Sequence, residues 1–105
     1  MKALLLLLLV HMTDRPDLDS WFSGLRSPAG LCCSFADAEM LTDVQWDTQD
    51  GHYRVFLDNH WINVRREAVI ESPNRYGPAI VWPLRYPQSN GKVYDIRCFI
   101  PGEGT

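Results

Sequence analysis

A surplus of basic charge is missing from this 105-residue chain: ten Lys and Arg stand against thirteen Asp and Glu, a formal net charge of −3. That balance gives no electrostatic reason to expect nucleic acid or an anionic membrane as partner. No apolar run reaches the roughly 20 residues that cross a bilayer, so no stable membrane span is expected. A Gly-rich phosphate loop, a G-x-S-x-G elbow and an HExxH pair are all absent, and so are CxxC and HxxxH spacings. Phosphate-loop, serine-hydrolase and zinc-hydrolase chemistry thereby lose their usual sequence grounds. A Cys33 nucleophile beside His52 or His60 can be written down, but no spacing favours it. The expectation is a protein with no catalytic residues, no metal and no cofactor.

Aromatics, by contrast, are plentiful: four Trp, four Tyr and four Phe. Each buries a large area, which offsets the small core of a single short domain. The N-terminus reads "MKALLLLLLVHM", a lysine followed by an apolar run from Ala3 to Val10. This fits the charged and apolar regions of a secretory signal, although no A-x-A-like cleavage pattern follows. Residues 1–19 are read as a leader and linker, residues 20–105 as one small β-domain, and the protein as exported, periplasmic or extracellular. A buried N-terminal helix or strand is the structural alternative.

Charge is uneven along the chain. Asp37, Glu39, Asp43, Asp47 and Asp50 occur with no base among them, whereas seven bases outnumber four acids between His52 and Cys98. Strand arginines paired with the acidic run explain this better than an anion-binding face. The acids lack EF-hand ligand spacing, and a solvated edge is their simplest use.

"TDRPDLDSWFSGLRSP" predicts a short helix, capped by Asp17 or Asp19, with Trp21, Phe22 and Leu25 at helical spacing and a stop at Ser27-Pro28. From Val44 the chain turns to strands. Asp50-Gly51 is a strong hairpin dipeptide, and Asn59-His60 is taken as a second tight turn. Two-residue loops at both place Val55 between Trp46 and Val64, and Leu57 between Val44 and Ile62. Val44, Trp46, Val55, Leu57, Ile62 and Val64 then share one face, since strand side chains alternate. The other face receives an Asp47–Arg54–Arg65 ladder together with Phe56 and Trp61, so something must cover it.

Further on, "VRREAVIES" predicts a single helical turn, "AIVWPL" a short strand ended by Pro83, and Asn90-Gly91 a turn. "VYDIRCFI" alternates so that Tyr94, Ile96, Cys98 and Ile100 share a face. Five short strands with little helix predict a mainly β fold: a small β-barrel, SH3-like as first choice, or a bent antiparallel sheet.

Trp21-Phe22, "GLRSP", "CCS" leading to Ala36-Asp37, the "DGHYRVFLDNHWINV" hairpin and the terminal "IRCFIPGE" together resemble a group of small exported bacterial proteins with relatives in phages and prophages. The resemblance covers roughly residues 20–103. The group has no established activity, so the likeness implies a compartment and a disulfide, not a mechanism. Its members read Ala-Asp-Cys after the cysteine pair, where this chain has Ala36-Asp37-Ala38, and the departure leaves three cysteines.

Adjacent Cα atoms lie about 3.8 Å apart, short of the 4.4–6.8 Å that a disulfide usually spans, so Cys32 and Cys33 are not expected to bridge each other. Cys98 falls on the apolar phase of the last strand. A Cys33–Cys98 bridge, with Cys32–Cys98 as alternative, is the leading expectation. A redox-active thiol and a metal site with His52 or His60 rank below it. The functional expectation is an exported binding module for a protein or small ligand, with Phe56, Trp61, Trp82 and Tyr86 as candidate surface; ordinary packing is the competing reading for all four. A redox-responsive thiol protein and a structural piece of an envelope or virion assembly are the alternatives.

Overall fold

The β-branched and aromatic run "IVW" followed by Pro83, and the long run "VYDIRCFI", pair to form the centre of the molecule. A computed structural model describes residues 16–32, 41–42, 44–86 and 92–103. Among these residues the strands are β1 (Arg26–Ser27), β2 (Gly30–Leu31), β3 (Leu41–Thr42), β4 (Trp46–Gln49), β5 (His52–Leu57), β6 (His60–Asn63), β7 (Ile80–Arg85) and β8 (Val93–Ile100). They form three antiparallel sheets, ordered β1-β2, β3-β7-β8 and β4-β5-β6. The protein is mainly β, and its sheets do not close into a barrel among the described residues. Of the two expected architectures, the bent antiparallel sheet is the one that forms.

The β7–β8 hairpin is buried on both faces. On one side Ile80, Trp82, Cys98 and Ile100 pack with Leu18, Phe22, Leu25, Cys32 and Ile70. On the other, Val81, Val93, Ile96 and Phe99 pack with Val55, Val64, Ala68 and Ala79. The hairpin is thus the middle layer between the N-terminal segment and the β4–β6 sheet. Buried on both faces, β7 reads as a continuous apolar run rather than an alternating one.

Two irregularities in β8 make this possible. Trp82 pairs with Cys98 and Pro83 with Ile96, so Arg97 is an extra residue; Leu84 pairs with Asp95 and Arg85 with Val93, so Tyr94 is another. Each extra residue is a bulge that flips the alternation beyond it. The expected common face of Tyr94, Ile96, Cys98 and Ile100 is therefore corrected: Tyr94 is exposed, Ile96 joins one cluster, and Cys98 and Ile100 join the other. Pro83 does not end its strand. It lies at a register shift, where a residue without an N–H is tolerated, and β7 continues to Arg85.

The helix α1 (Asp19–Ser23) follows a 3₁₀ turn, Pro16–Leu18. Its N-cap is Leu18 and no side-chain hydrogen bond caps it, correcting the expected aspartate cap. Leu18 turns inward and is buried with Phe22 and Leu25. The predicted turn in "VRREAVIES" is a 3₁₀ turn, Arg66–Ala68. The leader, Cys33, Asp37, Ala38, Glu39, Asp43 and Asn90-Gly91 lie outside the described residues.

Across Asp50-Gly51 the register is the predicted one, Trp46 opposite Val55 and Asp47 opposite Arg54. The second turn is Asp58-Asn59, not Asn59-His60: Leu57 pairs with His60, Phe56 with Trp61, Val55 with Ile62 and Arg54 with Asn63. Asp58 and Asn59 have φ of 51° and 68°, the left-handed pair that a type I′ turn needs and that short Asp and Asn side chains accept. Moving the turn by one residue slides the pairing by two. An even slip keeps every side chain on its face, so Ile62 still faces inward, but the Asp47–Arg54–Arg65 ladder is broken.

Cys32 and Cys98 form the disulfide, with Cα atoms 5.6 Å apart. The preferred Cys33–Cys98 bridge is thereby corrected in favour of its alternative. The reason is strand phase: Leu31 is 44 % exposed, so the next side chain, Cys32, points to the core, and its N–H donates to the Leu25 carbonyl at 3.0 Å. Beside the bridge, Arg97 Nε and NH2 donate to the Leu31 carbonyl at 3.0 and 2.6 Å. Gly30, at φ 127°, leaves room for that guanidinium, since a Cβ there would lie 2.9 Å from it.

Candidate recognition surface

Alternation along β4, β5 and β6 turns Asp47, Arg54, Phe56, Trp61 and Asn63 away from the core. Arg54 makes a two-pronged contact with Asp47, Nε to Oδ1 at 2.9 Å and NH2 to Oδ2 at 2.6 Å, the fork geometry that suits a carboxylate. Its guanidinium carbon lies 4.3 Å from the Trp61 ring centre, and Trp61 meets Phe56 edge-on at 5.2 Å. The hydrogen bond from Arg54 holds the Asp47 carboxyl below the usual aspartate range; desolvation opposes this and is outweighed. The same hydrogen bond raises Arg54, with help from the charges of Asp47 and Asp50.

The expected third rung, Arg65, instead pairs with Asp95 at 3.1 Å and donates to the Ile96 carbonyl at 3.2 Å. Its place opposite Arg54 is taken by Asn63. Phe56 is half-buried and Trp61 is 37 % exposed. The cover expected over this face is supplied in part by the side chains themselves, as an Arg–Trp–Phe stack.

Trp82 does not belong to any surface. It is 2 % exposed and sits in the core beside the disulfide, because β7 is covered on both faces. Tyr86 is 49 % exposed and stacks on Tyr94, itself 50 % exposed, at 4.4 Å. Sequence reading missed Tyr94: in strict alternation it shares the face of Ile96, and only the bulge turns it out.

Asp58 links the two aromatic pairs. Its carboxylate accepts from the Val93 N–H at 3.2 Å and faces Arg85 NH1 at 3.3 Å. The turn that follows Phe56 and precedes Trp61 is thereby tied to the strand ends that carry Tyr86 and Tyr94.

His52 and His60 lie at opposite ends of β5, His60 across from Leu57, with its Nδ1 3.1 Å from the Asp58 carbonyl oxygen. Among the described residues no three His, Cys, Asp or Glu side chains come together as a metal would need. Cys32 and Cys98 are spent in the disulfide. None of the described helices is long and apolar enough to cross a membrane. No protein-family model, curated protein or solved structure matches this chain.

Proposed function

We propose that the protein is an exported binding module whose recognition surface is built from two solvent-facing aromatic pairs, Phe56–Trp61 and Tyr86–Tyr94. The observation that carries this reading is that Trp61, Tyr86 and Tyr94 are exposed while each is braced by a neighbouring ring or guanidinium. Arg54 and Asp47 fix the Trp61 ring from β5 and β4, and the bulge at Tyr94 presents a stacked tyrosine pair. Aromatic rings pre-ordered in this way offer large contact area with little entropy left to lose on binding. The signal-like leader and a buried disulfide support an oxidising compartment.

The test is affinity capture from the envelope fraction, using the intact protein and a Trp61→Ser/Tyr86→Ser variant. Both positions are exposed, so the variant should keep the circular dichroism of the parent, with a melting temperature lowered only by loss of the Arg54 and ring contacts. Retention of a specific species by the parent, reduced at least tenfold in the variant, supports the proposal. Equal retention by both would remove this surface from recognition.

A further inference from the structure

A groove on a different part of the molecule has the chemistry of a peptide site. Two hollows, about 510 and 680 Å³, share Tyr53, Pro101 and Gly102 in their walls. Trp46 continues the wall at one end, and Pro73 with Glu71 and Glu103 at the other. The aromatic wall is ordered, because Trp46 and Tyr53 tilt together at 5.8 Å and both rest on Phe99, at 5.7 and 5.4 Å. Gly102 fits closely there: a Cβ on it would lie 3.2 Å from the Ala79 nitrogen and 3.6 Å from Trp46 Nε1. Asn74 fixes the far bank, donating to the Pro78 and Pro101 carbonyls at 2.8 and 3.0 Å and accepting from the Tyr76 and Gly77 N–H groups.

Two features of this groove are unspent. Neither the Trp46 indole N–H nor the Tyr53 hydroxyl has a hydrogen-bond partner among the described residues, and the Glu71 and Glu103 carboxylates have neither hydrogen bond nor ion pair there. Asp47, at the rim, is already engaged by Arg54. The groove thus offers ring and proline faces, side-chain donors and uncompensated negative charge. A polyproline II segment is the complement of that set: its carbonyls lack internal partners, its proline rings are flat and apolar, and its conformation is set before binding. The free carboxylates call for a positive side chain on the same segment.

We infer that this groove binds an extended, proline-containing peptide segment that carries a basic side chain. Trp46 and Tyr53 donate to its carbonyls and pack against its prolines, while Glu71 and Glu103 take the cation. This site is separate from the Phe56–Trp61 and Tyr86–Tyr94 surface and stands or falls without it.

The probe is an acetylated, amidated peptide reading Arg-Ala-Pro-Pro-Ala-Pro-Pro-Arg, titrated into the intact protein and followed by backbone amide shifts. One control replaces both arginines by glutamate, and another replaces the prolines by glycine. Saturable shifts are expected at residues 46, 53, 71–74 and 101–103, with each control binding at least fivefold more weakly. A Glu71→Gln/Glu103→Gln variant, altered only at exposed positions, should lose at least threefold for the arginine peptide and nothing for the glutamate one. Trp46→Phe keeps an aromatic ring and removes the indole donor, and should weaken the arginine peptide and the glutamate control by the same factor, since both carry the carbonyls it serves. The inference is overturned by absence of saturable shifts at millimolar peptide, by equal binding of the glutamate control, or by shifts confined to Phe56, Trp61, Tyr86 and Tyr94. That last outcome would leave the proposed recognition surface in place.

Discussion

Arg54 performs three tasks with one guanidinium: it binds Asp47 through two nitrogens, neutralises that carboxylate, and lies over Trp61. Because the Asp47 carboxyl is held below its unfolded value, the pair contributes stability that is fully present above the ordinary aspartate pKa, about 3.9. That contribution is lost as pH falls through the lowered folded value. The melting temperatures of the parent and Arg54→Ala should therefore differ near neutrality and converge in acid. The Asp47 carboxyl resonance should titrate below the usual range in the parent and move up in the variant. Trp82 makes the opposite point. Placed by its sequence context among candidate surface residues, it is core, and Trp82→Ala is expected to cost about 3–5 kcal/mol by chemical denaturation; a loss below about 1 kcal/mol would contradict its burial.

Among the elements, how much could be read from sequence depends on how tightly local chemistry constrains each one. Asp50-Gly51 left one choice, since Gly51 sits at φ 83°, and the Trp46–Val55 register followed. "LDNHW" offered two overlapping dipeptides. Asn59-His60 and Asp58-Asn59 predict the same inner face, so the face pattern used to support one could not reject the other. What separates them is that Asp and Asn are both residues a type I′ turn takes, whereas His is not among its usual central residues. Asn59→Gly should leave stability unchanged or raise it slightly, while Asn59→Val should cost about 1–2 kcal/mol, as thermal melts would show. The bulges at Arg97 and Tyr94 had no local sign beyond Pro83, because they answer to layers on both sides of β8. For that reason Tyr94 was missed and the second half of the candidate surface was only partly legible.

For the molecule as a whole, the Cys32–Cys98 bridge spans a sequence separation of 66. Loop-closure entropy assigns such a link on the order of 4 kcal/mol. In a domain this small, that corresponds to a fall in melting temperature of roughly 15–30 °C on reduction. Three cysteines and one bridge leave one thiol, so titration of the unfolded, unreduced protein should give one per chain. Non-reducing peptide mapping should recover Cys32 with Cys98; a peptide pairing Cys33 with Cys98 would overturn the assigned bridge. The choice between the adjacent cysteines was not legible because it rests on the phase of a two-residue strand, β2, too short to show alternation.

The placement of β7 and β8 has a further consequence in time. Both apolar clusters are assembled on this hairpin, which leaves the ribosome after every other described strand. Residues 16–79 therefore emerge with helix, hairpins and turns but with no central layer to pack against. Contacts this distant in sequence are slow to form, and the first thiol of the bridge waits for the second until residue 98 is through. A chain emerging from its N-terminus would thus stay open until its last strand is through and fold in one late step. Arrested chains ending before Ile80 should be protease-sensitive along their length, whereas those extended past Ile100 should be resistant.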